Sequence, residues 1–478
     1  MKPLKIFGII IMIFLMFQTG TAAFAQKVPK DDSITVWIDT AMQEDPRINI
    51  SDLKINTLDG IVTLSGSVST LAEKEYAIRE AKKIAGVQGV LDEITIKPVE
   101  RSNWDIEQEI QRLVKADAYL ANSAIEFQVN NGIVTLSGHA ASYAEIREAE
   151  LLAGEVRGVL SVVNEVTLKF EKQNDTDLKN MIMDKINRDV YLVDLPIKVD
   201  VKKGIATLTG SVGTLYQKER AASDAFNILG VADVNNELTV NVSEWQGVRY
   251  KQKFVSDDDL LKSVMNEIFQ DRRIIPLGIA VDAHKGKVIL SGSVPSYYEK
   301  LLAERDAKNV IGVVKVQNDL KVNEEPRTDI SIKDDILFNI TVLSNLKDQN
   351  IHVSVKNGLV TLTGTVDEIW QRELARSEAA RVRGITEINN LIEVNGEPEL
   401  TESSIVDKIK SRLASNWDTR FIADQISIKF KKGKVTLSGE VYSWLEREQA
   451  ESIVLNTAGV KSVQNLLTVN VVNYPLDL

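Results

Sequence analysis

Three histidines are the only imidazoles in the chain. His139 follows a Ser-Gly pair, His284 precedes a Lys-Gly turn and His352 lies in an alternating strand pattern. No pair recurs, so neither a metal centre nor an acid–base pair is expected. Cysteine is absent, which removes thiol catalysis, thiolate metal ligands and disulfides. Ser65, Ser137, Ser291 and Ser438 each precede a glycine, but no Gly-x-Ser-x-Gly elbow surrounds them. Thr209 and Thr363 replace two of them, and a turn hydroxyl bonding local backbone accounts for the set. The glycines follow neither the Gly-x-Gly-x-x-Gly nor the Walker spacing that cradles phosphate. No catalytic, cofactor-binding or metal-binding residue is assigned, and no enzyme activity is expected.

One segment suits a binding surface instead. In residues 245–254, Trp245, Tyr250 and Phe254 interleave with Arg249, Lys251 and Lys253. Rings of this kind sit at headgroup level in a membrane interface, where cations meet lipid phosphate. The competing reading is a plain linker whose aromatics pack on its flanks. A second aromatic group, Tyr143, Tyr216, Tyr297, Tyr298, Trp370 and Trp444, clusters where recurring helices begin. It reads as contact with lipid or, more simply, with a neighbouring unit.

The elements that carry these residues are set by a rhythm of glycines. Gly60, Gly66 and Gly86 form a triplet that returns five times, ending with Gly433, Gly439 and Gly459. The steps between central glycines are 72, 72, 82, 72 and 75 residues. One module is thus copied six times.

Each copy opens with an amphipathic helix, such as Asp105 to Val114 or Ile405 to Leu413. Strict alternation follows, as in Ile197, Val199 and Val201, which predicts a strand with one buried face. The first glycine then closes a hairpin, with Asp59-Gly60, Asn131-Gly132 and Asn357-Gly358 suiting a two-residue turn. A returning strand leads to a second helix with a capping box. Thr70, Ser142, Thr214, Ser296 and Ser443 precede Glu73, Glu145, Gln217, Glu299 and Glu446 by three residues. Unit five has Glu368 at the cap position, so its helix is expected to fray more easily. Ala77, Ala149, Ala221, Ala303, Ala375 and Ala450 recur inside this helix, where small residues allow close approach to a sheet. The third glycine ends the helix, and a last strand follows. The expected fold class is α+β: a tandem array of six small two-layer αββαβ sandwiches, each with a three-stranded mixed sheet and two helices.

The N-terminus stands apart. Lys2 and Lys5 precede an apolar run from Ile6 to Phe17 and an Ala23-Phe24-Ala25 exit. This predicts a signal peptide over residues 1–25, the run being too short to span a bilayer. Export to the periplasm follows, with no transmembrane segment after cleavage. The net charge of −11 argues against nucleic acid as a partner. The expected domains are 31–100, 101–173, 174–244, 255–324, 327–396 and 401–472, with 245–254 as a linker.

The hairpin glycine, the Val-Thr-Leu-Ser-Gly strand, the capped helix and the Gly-Val-x-x-Val-x-Asn ending (Gly230 to Asn236) together resemble the BON domain. The resemblance covers Asp31 to about Val472. It implies a secreted envelope protein without enzyme activity or cofactor, whose partners are a phospholipid membrane surface or envelope proteins. Six copies suggest an extended multivalent scaffold, in envelope or osmotic stress. The alternative is a periplasmic holdase-type chaperone for secreted or outer-membrane proteins, and a third reading is a small-ligand or ion-binding protein.

Overall fold

A computed structural model describes residues 29–469, less 242–254, short stretches at 170–172, 324–326, 343–345 and 397–400, and positions of one or two residues elsewhere. The predicted signal peptide and the predicted 245–254 contact both lie outside the described residues.

Within that span the αββαβ unit occurs six times. In unit one, a helix over Asp31–Gln43 precedes strands Leu53–Leu58 and Ile61–Val68, a helix over Leu71–Lys83 and a strand over Gly89–Ile96. The middle strand runs antiparallel to the first and parallel to the last, so the sheet is mixed. In units two to five the last strand is broken in two, as Ser161–Asn164 and Thr167–Leu168 in unit two. At each break an Asn side chain bonds backbone two residues on, as Asn390 Oδ1 accepts from the Ile392 N–H at 3.3 Å. In units three to six the same Asn also donates to a carbonyl of the second helix, as Asn390 does to Arg372 at 2.8 Å. The motif asparagine therefore clamps strand to helix.

Local chemistry explains the turns. The hairpin residues Asp59, Asn131, Lys203, Lys285, Asn357 and Lys432 all have φ between 47° and 54°, and the glycine that follows each has φ between 74° and 79°. These are the mirror-image turns that match strand twist. A carboxylate from the first helix's opening turn secures most of them. Asp31 accepts from the Asp59 and Gly60 N–H groups at 2.8 and 2.9 Å, and Asp175 and Asp329 repeat the contact in units three and five. The central glycine is required sterically: a Cβ on Gly66 (φ 112°) would stand 1.9 Å from the Asp52 carbonyl oxygen. It lies inside an eight-residue strand, so Ser65 is a strand residue rather than the turn hydroxyl expected from sequence.

The capping boxes form, with one refinement. Thr70 Oγ1 accepts from the Glu73 N–H, but the Glu73 carboxylate returns to Ser69, one residue before the cap, and also reaches the Asn49 N–H at 2.6 Å. It thereby ties the helix start to the strand entry. In unit five Gln371 bonds both the Asp367 and Glu368 N–H groups, so that helix start is also held. The alanine stripe is fully buried in every unit.

Each unit has its own apolar core. The extended array does not form, because the chain closes on itself in two ways. First, units one to three form a ring through their second helices. The residue sixteen places after each central glycine meets the residue five places after another. Phe226 stacks on Tyr143 with centroids 4.2 Å apart, Gly154 lies against Leu71, and Lys82 pairs with Glu219 beside Leu215. Unit three thus docks on two, two on one, and one on three. Units four to six repeat the cycle: Leu455 packs beside Ile369, Ala380 beside Tyr297, and Lys308 sits over Trp444. Second, the two rings pair face to face. Antiparallel bridges join Ile84 to Asn416, Asp117 to Val382 and Asp189 to Val310, linking units one and six, two and five, and three and four. The result has an internal three-fold and three two-folds.

Candidate functional site

The inter-unit packing takes up most of the aromatic group at the second-helix starts. Tyr297 is buried, and Tyr143, Tyr216, Tyr298, Trp370 and Trp444 are at least half-buried. Tyr143, Tyr297, Tyr298 and Trp444 contact a neighbouring unit, whereas Tyr216 packs on Tyr191 of its own. His139, His284 and His352 are exposed in three different units. No group of three or more potential metal ligands occurs among the described residues.

With helices turned inward, the outward surfaces are the second faces of the six sheets. Two stand out. On unit one, Leu58 (67% exposed), Leu91 (54%) and Ile61 form an apolar outer face. The strand pairing sets Leu58 directly opposite Ile61. On unit six, alternation sends Ile428 and Phe430 to the core and Lys429 and Lys431 outward. Lys434 lies directly opposite Lys431, and Lys432 occupies the turn. All four lysines are exposed. Four ammonium groups on one hairpin make a local positive surface on an acidic chain. Sequence reasoning passed over this cluster because it sought a long basic tract. The signal is the short run Lys429-Phe430-Lys431-Lys432-Gly433-Lys434, read with its period of two.

The inter-ring contacts are charged. Between units two and five, Arg381 reaches Asp117 at 3.3 Å and Glu148 at 3.4 Å. Arg273 and the Tyr298 hydroxyl of unit four also approach Glu148. Burial and the neighbouring Glu155 carboxylate push Glu378 up to about 8. Between units three and four, Lys185 bonds Glu267 at 2.6 Å, and beside it Arg220 pairs with Asp189 within unit three. Burial raises Asp224 and Asp306 there to about 7 each, helped by Asp189 and Asp271 respectively.

The repeated architecture now has a decisive comparison. The sequence model for the BON domain matches residues 30–98, 103–169, 174–242, 256–324, 328–396 and 401–471. The chain belongs to the BON-domain family. Among curated relatives, "Osmotically-inducible protein Y" of Escherichia coli (strain K12) is 30% identical over 146 residues, covering 29% of this chain and 73% of that protein. The "21 kDa hemolysin" of Actinobacillus pleuropneumoniae is 28% identical over 148 residues, covering 30% of this chain and 72% of that protein. Each thus matches under a third of a six-BON chain. Among solved structures, the C-terminal domain of CdsD, a structural protein of the type III secretion system of Chlamydia trachomatis, aligns over 45% of this chain and 100% of its own. Identity is 14% and the TM-score 0.13, too low to carry an argument. Among the described residues no helix is long and apolar enough to cross a membrane.

Proposed function

We propose that this protein is an exported, non-enzymatic envelope protein that binds anionic phospholipid surfaces. The observation that carries the reading is the unit-six hairpin, where Lys429, Lys431, Lys432 and Lys434 project from one exposed turn. A lysine near an anionic leaflet contributes about 1 kcal/mol, so one hairpin gives weak, reversible attachment. The 245–254 segment, with Trp245, Arg249, Tyr250, Lys251, Lys253 and Phe254, is proposed as a second contact that would add avidity. The export signal at residues 1–25 and a role in osmotic stress, suggested by the printed name of the Escherichia coli relative, belong to the same reading.

The test is flotation of the mature chain with phosphatidylglycerol-containing vesicles. The exposed triple variant K429E/K431E/K434E should lose most flotation while keeping its fold, and deletion of 245–254 should weaken it further. Equal flotation of wild type and both variants would remove the proposal. A second reading, holding apolar segments of other exported proteins, is favoured by the outer face of Leu58, Ile61 and Leu91. It predicts suppressed aggregation of an unfolded client in the absence of lipid.

A further inference from the structure

Between units three and four lies a cavity of about 180 Å³. It is far larger than the ~10–15 Å³ that one water occupies by a comparable measure. Its walls come from the ends of both helices in each unit, in two-fold-related pairs: Lys185 with Glu267, Asp189 with Asp271, Asp224 with Asp306 and Asn227 with Asn309. Arg188, Arg220, Arg273 and Arg305 complete the charged lining. Five cations and five carboxyl groups line it, so with every acid ionised its formal charge is zero.

Most of these groups satisfy one another. Lys185 holds Glu267, Arg220 holds Asp189, and Arg273 and Arg305 hold Asp271 at 2.6 and 3.0 Å. Arg305 also reaches one oxygen of Asp306 at 2.8 Å. What remains has a definite pattern. The Nε and Nη2 of Arg188 are buried donors without a hydrogen-bond partner. Asp224 Oδ2, Asp306 Oδ2 and Gln270 Oε1 are buried acceptors without one. Asp306 is 4% exposed and Asp224 9%. Native interiors rarely leave so many polar atoms unmet in one place.

The repeat supplies an internal control. At the related pair of units two and five, Leu113 takes the place of Lys185 and Leu152 the place of Asp224. Unit two thus dispenses with charge at both positions, whereas unit five keeps an acid, Glu378, where unit four has Asp306. Charge occurs at both contacts, but the set that combines Lys185, Arg188, Asp224 and Asp306 belongs to units three and four.

We propose that this cavity is a binding site for a small zwitterion with the charge pattern of a free α-amino acid. The ligand carboxylate accepts from the orphaned Arg188 guanidinium, and its ammonium donates to Asp224, Asp306 and Gln270. A simple anion would leave the carboxylate oxygens unmet, and a simple amine would leave the arginine unmet. A zwitterion satisfies both and adds no net charge to a balanced site. The high proton affinity of Asp224 and Asp306 in the empty site fits carboxylates that lack a full complement of cationic partners. The inference is independent of the membrane reading: vesicle flotation and ligand binding use different residues.

The test is calorimetric titration of the intact mature protein with glycine, L-alanine and L-serine, with acetate and methylamine as single-charge controls. The expected result is saturable binding of at least one amino acid and no binding of either control. Asp224→Asn and Arg188→Met should each weaken binding at least about tenfold. Ser223 lines the cavity and is exposed, which places it at the opening; Ser223→Phe sets a ring there without touching the charges, and should abolish binding even where the charge variants unfold. No heat from the three amino acids up to about 10 mM, stronger binding of acetate alone, or binding unchanged in S223F would each overturn the proposal.

Discussion

Ile84 ends the first unit's second helix, Asn416 ends the last unit's first helix, and the two form an antiparallel bridge. The two ends of the repeat array therefore meet. With the bridges at Asp117–Val382 and Asp189–Val310, the second three units fold back on the first three. In solution the mature protein should have a radius of gyration of about 22–25 Å, the value for a compact chain of this length. Small-angle scattering above about 35 Å would mean an open string and would contradict the closed arrangement.

The ring-to-ring contact is electrostatic, and Arg381 is its most connected cation. It faces Asp117 and Glu148 together, and its backbone carbonyl accepts from the Ala118 N–H at 2.7 Å. Arg381→Met removes the charge but keeps most of the volume, leaving two carboxylates short of a partner. Removing one member of a buried ion pair costs about 3–5 kcal/mol. Urea unfolding should show a loss of that order, and adding Glu148→Gln should recover part of it. Additive losses would show that the two residues are not coupled.

Two glycines should respond in opposite ways to alanine. At Gly66 a Cβ would stand 1.9 Å from the Asp52 oxygen, and φ is 112°. G66A should destabilise unit one by several times the ordinary backbone penalty of roughly 1 kcal/mol. Gly154 is helical and faces Leu71 and Ala72 of unit one, with room for a methyl at 3.4 Å or more. G154A should be neutral or stabilising by up to about 1 kcal/mol, whereas G154L should overpack the contact between units and cost about 1–3 kcal/mol. Thermal unfolding of the three variants tests the ranking.

The unit was legible in the chain because its signals are local. Hairpin glycines, alternation such as Ile197-Val199-Val201 and Ser/Thr caps each specify backbone within a few residues, and six copies multiply the signal. The association of units was not legible, because its determinants are single positions spread across copies. Tyr143 and Phe226, or Lys308 and Trp444, carry no mark in sequence that they meet. The alternation of Leu71, Tyr143, Leu215, Tyr297, Ile369 and Trp444 at one offset was a trace of this contact, but it reads equally as core. The cavity was hidden for the same reason. Asp224 and Asp306 look like ordinary helix-surface acids until two units are brought together.

Those two acids make stability depend on pH with a definite sign. Asp224 faces Asp189, Lys185, Arg220 and Glu267, and Asp306 faces Arg305, Asp271 and Glu267. Burial dominates for both, holding them protonated in the folded chain up to about pH 7, whereas an unfolded aspartate loses its proton near pH 4. Between those values the folded chain binds more protons than the unfolded one, so stability falls as pH rises through that window. Arg273 holds Asp271 well below the usual range, so its contribution is constant above about pH 4 and is lost only below it. Stability, and with it the melting temperature, should therefore be higher at pH 5.5 than at pH 8, by up to about 4 kcal/mol for the pair. D224N/D306N cannot ionise at these positions. It should match wild type near pH 5 and exceed it at pH 8. Parallel melting curves for the two proteins across that range would show that these carboxyls titrate like exposed ones.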